Sequence, residues 1–187
     1  MINPKEDDKM NAVELLKGRR RIRKYEDKKV AHEVIEEVVS LASYAPSWKN
    51  SQIARYIAVE SEAVKAAVAA DCVPGFNAKI INSAPVLVVV TGITGRSGYE
   101  RDGSFTTSKE DRWQNFDAGV AAQTFCLAAY EKGLGTVIMG IFDEDKLRKA
   151  VDVPEGQSVM GLIALGYPAE QPEAPKRKTV EDLVSYR

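Results

Sequence analysis

The sequence predicts an α+β fold in which a small sheet is flanked by helices, and three features of the chain predict it. Residues 84–90, Ala-Pro-Val-Leu-Val-Val-Val, are β-branched and apolar on both parities, which suits a strand covered on both faces. Residues 113–132 form a long alanine-rich run carrying Phe116, Val120, Phe125, Leu127 and Tyr130, closed by Gly133 as a candidate C-cap. Shorter strand-like runs at 56–59, 136–139 and 159–165 are interspersed with helical segments, an order that gives α+β architecture.

Taken in chain order, Asn11 with Glu14 has capping-box spacing, so a short helix starts there and runs to Gly18 with Val13 and Leu16 on one side. From about 30 to 45, Val34, Ile35, Val38, Val39, Leu41 and Ala42 recur at helical spacing among Glu33, Glu36 and Glu37, and Pro46 is the expected stop. Residues 61–71 read as a helix capped by Ser61, and Pro74-Gly75 as a turn. Residues 91–111 switch to Gly, Ser, Thr and charge, the composition of a functional lid or mobile loop. Asp143 caps a helix over 143–150 with an acidic first turn. Gly166-Tyr167-Pro168 closes the last strand, and 169–187 reads as an arm that needs another surface to lie on.

The chain has 187 residues with 26 Lys+Arg against 27 Asp+Glu, enough for one domain with a sizeable core and a net charge of −1 that exerts no general pull on a polyanion. No nucleic-acid role is expected from it. One His and two Cys, at 72 and 126, provide neither a disulfide framework nor a zinc spacing. No apolar run is long enough to span a bilayer, and residues 1–5 hold no signal-peptide core, so a cytoplasmic protein is expected.

Chemistry concentrates in two places. In Arg19-Arg20-Arg21-Ile22-Arg23-Lys24-Tyr25, positions 19, 21 and 23 share a side if the segment is extended. Three forked guanidiniums there make an anion clamp, although cations at a helix C-terminus also serve simply to complement its dipole. Pro46-Ser47-Trp48-Lys49-Asn50-Ser51-Gln52 offers hydroxyls, amides and an indole to a heteroaromatic ring, or forms an ordinary turn. His32 reads as a solvated position, Cys72 and Cys126 as packing residues, and Asp143-Glu144-Asp145 as cap and dipole partners rather than metal ligands.

The ordered set of motifs resembles the FMN-dependent nitroreductase family. It comprises the arginine cluster, Ala45-Pro46-Ser47-Trp48-Lys49-Asn50-Ser51-Gln52, Asn77, Asp117-Ala118-Gly119-Val120-Ala121-Ala122-Gln123, Gly133-Leu134-Gly135-Thr136, and Gly166-Tyr167-Pro168 with Pro175-Lys176-Arg177-Lys178. The resemblance implies a nitroreductase-like fold with a small mixed sheet and an intertwined homodimer with arm exchange. The chain would be a single domain, core 11–168 and arm 169–187. Arg19 would hold the FMN phosphate, Arg20 of the same motif would be among the cofactor-binding residues, and Arg21 and Arg23 would face the ribityl chain and the N1/O2 edge of the ring. Pro46, Ser47, Trp48 and Asn50 would come from the other subunit. Asn77 would bond the pyrimidine edge, Met139 and Gly140 would lie on the N5 side, and Lys176 and Lys178, with Arg177 as the alternative register, would return to the phosphate.

Two departures stand out. Arg21 occupies a position where the family commonly has Ser, and Ile53-Ala54 replaces its usual Pro-Trp. The activity implied is ping-pong transfer of hydride from NADH or NADPH, through FMN, to a small nitroaromatic or quinone-like acceptor, with Arg23 tuning the flavin. A flavin-binding or sensing dimer with little turnover, a reductive dehalogenase and a flavin-modifying enzyme are the alternatives on the same scaffold.

Overall fold

The computed structural model describes residues 11–187. The expectation about a signal peptide at residues 1–5 lies outside the described residues. The capping box at α1 (Ala12–Gly18) forms as predicted: Asn11 Oδ1 accepts from the Val13 and Glu14 amides, and Glu14 accepts from the Asn11 N–H. α2 (His32–Ala42) turns Ile35, Val38 and Ala42 inward and ends at Ser43, ahead of Pro46. A 3-10 turn over Trp48–Asn50 leads into β1 (Ala54–Val59), and α3 (Glu62–Asp71) follows, capped by Ser61 Oγ on the Val64 amide.

Where the local sequence shows only a Pro-Gly turn, Pro74 caps a further helix, α4 (Gly75–Ser83). Its glycine, asparagines and serine are weak helix formers. It holds because Ile80 and Ile81 are buried in the cluster that contains Val68 and Ala69 of α3. β2 (Val86–Ile93), α5 (Arg112–Glu131), β3 (Gly135–Met139), α6 (Glu144–Ala150) and β4 (Gln157–Gly166) complete the order.

The four strands lie in the order β1-β2-β4-β3, every pair antiparallel. This corrects the expected mixed sheet: the parallel component is reduced to an isolated bridge between Arg21 and Thr136. The two parities of β2 separate as its sequence requires. Leu87 and Val89 join a core with Ile22, Ile81, Leu147 and Leu162, whereas Val86, Val88 and Val90 join Val38, Phe125, Ala129 and Ile163. Each such aliphatic side chain contributes roughly 1.5–3 kcal/mol by leaving water, so the central strand anchors both layers.

Residues 94–111 are ordered rather than loose. Tyr99 and Phe105 form an antiparallel bridge with their rings 4.9 Å apart. Trp113 Nε1 donates to Thr107 Oγ1 at 3.0 Å and the Gly95 amide to Gln114 Oε1 at 2.8 Å. Gly98 has φ +89°, and a Cβ there would run into the Glu110 carbonyl, so the fold requires glycine at this corner.

Candidate functional site

The arginine segment begins at the C-terminal end of α5, where Gly18 packs on Tyr130. From there it runs as an extended edge beside β3. The Ile22 N–H donates to the Thr136 carbonyl at 3.0 Å, and the Ile22 side chain, 6% exposed, lies against Gly135. Tyr25 is buried and donates its hydroxyl to the Ile22 carbonyl at 2.7 Å and the Ala164 carbonyl at 3.1 Å. Burial, first, holds that phenol far above its ordinary pKa, so it acts as a fixed donor. The Arg23 N–H donates to Glu170 Oε1 at 2.7 Å, and the Ala169 N–H to the Lys24 carbonyl at 3.0 Å, which ties the edge to the start of the arm.

With the backbone so occupied, Arg21 and Arg23 are exposed, and among the described residues their guanidiniums form no hydrogen bond or ion pair with the chain. Arg19 is half-buried, donates Nη1 to the Arg20 carbonyl at 3.2 Å, and its charge is felt by Cys126. Arg20 behaves differently. Its Nη1 donates to the Lys17 carbonyl at 2.6 Å and the Arg19 carbonyl at 2.9 Å, so its side chain satisfies the end of α1. Next to Arg20 a groove of about 820 Å³ opens between Gly133–Gly135 and residues 168–174.

α4 joins pieces that are far apart in the sequence. Asn77 is 4% exposed and its Nδ2 donates to the Ile141 carbonyl at 3.2 Å, which fixes the turn that follows Met139 and Gly140. At the other end of α4, Ser83 Oγ donates to the Arg23 carbonyl at 3.3 Å. Arg23, Asn77 and Met139-Gly140 are therefore framed by one short helix. Met139 is buried, and Gly140 is exposed with open space where a side chain would stand.

The second predicted cluster lies at the other end of α5. The Trp48 N–H donates to Asp117 Oδ2 at 2.9 Å, and the rings of Trp48 and Trp113 are 4.8 Å apart. Lys49, Asn50 and Gln52 have φ of 45°, 54° and 47°, a left-handed backbone costing non-glycine residues about 1–3 kcal/mol each. Ser47 Oγ accepts from the Gln52 N–H at 2.9 Å and holds the turn closed, while Pro46 and Asn50 are exposed. The departure at Ile53-Ala54 is accommodated: Ile53 is 1% exposed in the core, and Ala54 lines a cavity of about 360 Å³ with Ser47, Tyr56 and Asp117. Lys176, Arg177 and Lys178 are exposed on the arm and make no hydrogen bond or ion pair among the described residues.

Several positioning residues escape a reading of local sequence. Asp117 accepts from the Trp48 N–H and the Ser97 hydroxyl, and Glu170 from the Arg23 N–H, pairings between segments distant in the chain. One signal for Asp117 was available: with Ala121 and Phe125 it falls on a single helical stripe, and all three are buried. The remaining candidates are structural. His32 is exposed, and Glu60, 2.6 Å from Nε2, raises its pKa through that hydrogen bond. Burial pushes the Cys72 and Cys126 thiols up, away from reactive thiolates. Asp143 caps the Lys146 amide at 3.1 Å, and Glu144 accepts from the Val159 N–H at 3.0 Å.

The antiparallel α+β scaffold is that of a known class. The Nitroreductase family model matches residues 16–167, and the chain belongs to that family. A protein of Methanothermobacter thermautotrophicus, provisionally named an NADH dehydrogenase/NAD(P)H nitroreductase, is 32% identical over 168 residues, covering 88% of this chain and 81% of that protein. The crystal structure of a nitroreductase family protein from Streptococcus pneumoniae superposes with a TM-score of 0.84 at 22% identity, covering 95% of this chain and 100% of the other. An FMN-dependent nitroreductase from Clostridium difficile matches with a TM-score of 0.74 at 26% identity, covering 93% of this chain and 98% of that one. Among the described residues no helix is long and apolar enough to cross a membrane.

Proposed function

We propose that the chain is an FMN-dependent oxidoreductase that works as a homodimer in the cytoplasm, taking hydride from NADH or NADPH and reducing a small nitroaromatic or quinone-like acceptor in alternating half-reactions. The names of its relatives support oxidoreductase activity at the level of the family. The observation that carries the dimeric site is the placement of its two halves. The turn meets α5 at Asp117 and the arginine segment starts at Tyr130, roughly 20 Å farther along the helix axis, so the arginine edge and the Trp48–Asn50 turn lie toward opposite ends of α5. Two copies related by a two-fold axis bring unlike ends together and generate two equivalent sites.

The surface supports this. Tyr44, Phe116, Ile138 and Ile141 are exposed apolar side chains on the body, and Val180, Leu183 and Tyr186 are exposed on the arm. In this reading 11–168 is one unit, and the arm 169–187 crosses to the second copy and brings Lys176, Arg177 and Lys178 toward a phosphate.

The residues present fit a flavin mononucleotide: the exposed guanidiniums of Arg21 and Arg23, which have no hydrogen-bond or ion-pair partner among the described residues, and an open glycine, Gly140, that lets backbone approach a flat ring. Bound FMN would supply the reversible hydride and electron chemistry. Arg19 and Arg21 would supply charge-assisted hydrogen bonds to the phosphate and ribityl side. Arg23 would hold a positive charge at the N1/O2 edge, favouring the anionic reduced form and raising the potential. Asn77 would keep Met139-Gly140 in place through the Ile141 carbonyl.

The test is a visible spectrum of the purified protein after FMN is added and excess removed, followed by NADH or NADPH without oxygen. Retained flavin that bleaches and then reoxidises with menadione or a nitrobenzoate supports the proposal. Retained flavin that stays yellow with both donors overturns the oxidoreductase reading in favour of a binding role, and loss of the flavin on desalting overturns the site.

A further inference from the structure

The turn at Trp48 and the segment 94–111 meet on one buried carboxylate. Asp117 is 4% exposed, and a single oxygen, Oδ2, accepts from the Trp48 N–H at 2.9 Å, Ser97 Oγ at 2.5 Å and Ser51 Oγ at 3.4 Å. The hydroxyls of Ser51 and Ser97 also bond each other at 2.8 Å, and Ser97 is 0% exposed. Among the described residues Asp117 has no ion-pair partner, so hydrogen bonds carry its charge. The same two segments are joined at the surface by Lys49 Nζ and Glu100 at 2.9 Å. A backbone with positive φ at Lys49, Asn50 and Gln52 persists only where its surroundings over-determine it, and these contacts do so.

The geometry points to Asp117 as a positioning residue that clamps the Trp48–Asn50 turn to the 94–111 segment, making them one body. The inference rests on the proposed function only for what the two faces meet, the flavin on the turn and the acceptor on the segment. An acceptor that displaces the segment then shifts the turn, and the two binding events are linked in both directions. An acid that merely complements the N-terminal dipole of α5 would stabilise the helix without joining the two segments.

Ser97→Ala is the informative variant, because it removes the link on the segment side and leaves the bond between Asp117 and the Trp48 amide. Hydrogen exchange on the full chain without flavin should show residues 48–52 and 97–106 both exchanging about tenfold faster than in the parent protein. Trp48 and Trp113 are the two tryptophans, so their emission should shift to the red in the same variant. Asp117→Asn keeps an acceptor oxygen and should fall between Ser97→Ala and the parent. In the FMN-loaded protein Ser97→Ala should raise both the acceptor KM and the FMN Kd several-fold, with kcat less affected. Faster exchange confined to 97–106 overturns the clamp. Faster exchange of both segments with unchanged FMN affinity upholds the clamp and counts instead against placing the turn on the flavin.

Discussion

The two ends of α5 solve the same problem, the presentation of polar groups to a ligand, by opposite means. At its C-terminal end the arginine edge is held through its main chain, by the Thr136 carbonyl, Glu170 and the Ala169 N–H, so the Arg21 and Arg23 side chains are left over for binding. At the N-terminal end the turn is held by one side chain, Asp117, on which the Trp48 N–H and the Ser51 and Ser97 hydroxyls converge, and its backbone is strained. Scaffolding by a sheet edge is robust and leaves charge available. A locally over-determined turn is a finer positioning device, and each of its anchors matters. The contrast also explains Arg20, which lies between helix and edge and spends its guanidinium on the carbonyls of Lys17 in α1 and of Arg19, its C-cap.

Because the Arg19 side chain makes a single hydrogen bond to the chain, to the Arg20 carbonyl, Arg19→Ala is expected to separate binding from folding. Loss of one charge-assisted contact of about 1.5–3 kcal/mol corresponds to roughly ten- to hundredfold weaker FMN binding. Flavin titration should show that loss while the urea midpoint stays within error; equal affinity would remove Arg19 from the phosphate site. Arg23→Ala should retain more flavin and lower its midpoint potential, read by dye equilibration.

The edge should be sensitive to its backbone instead. A Cβ at Gly135 would stand 2.6 Å from Ile22 Cγ1, so Gly135→Ala should cost about 1–3 kcal/mol by overpacking. Urea unfolding measures this, and an unchanged midpoint would show that the edge is softer than its hydrogen bonds suggest.

At the other end, the Lys49–Glu100 pair is exposed, so Lys49→Ala should barely move the urea midpoint, and what shift there is should vanish in high salt. A larger, salt-independent loss would move weight from Asp117 to the surface pair. The smallest effect belongs to His32, whose folded pKa is raised chiefly by its hydrogen bond to Glu60. Its contribution is fully present below the unfolded value near 6.5 and is lost as pH rises through the folded pKa. An NMR titration of the imidazole should therefore give a value above that of a model peptide, and Glu60→Gln should return it.

Much of the scaffold was readable because it rests on local or periodic signals. The capping box at Asn11, the two-sided apolar run of β2 and the Gly-terminated α5 follow from short-range chemistry, and each forms as its residues require. α4 did not announce itself, since its helix is held by Ile80 and Ile81 against α3 and not by propensity. The order in 94–111 was equally hidden, because a polar segment pinned by Ser97 and Gly98 has the composition of a loose one. For the same reason the strands run antiparallel where a mixed sheet is expected: pairing depends on which edge meets which, a non-local choice.

By itself the sequence determined the family, the secondary elements with strong periodicity, and the residue types available to bind an anionic, aromatic ligand. Only the tertiary structure decided that Arg20 faces its own helix, that Asn77 supports Met139-Gly140, and that Asp117 gathers the turn and the polar segment. Helix and strand signals are written in neighbouring residues, whereas a buried carboxylate finds its donors through packing between segments distant in the chain, which no local pattern encodes.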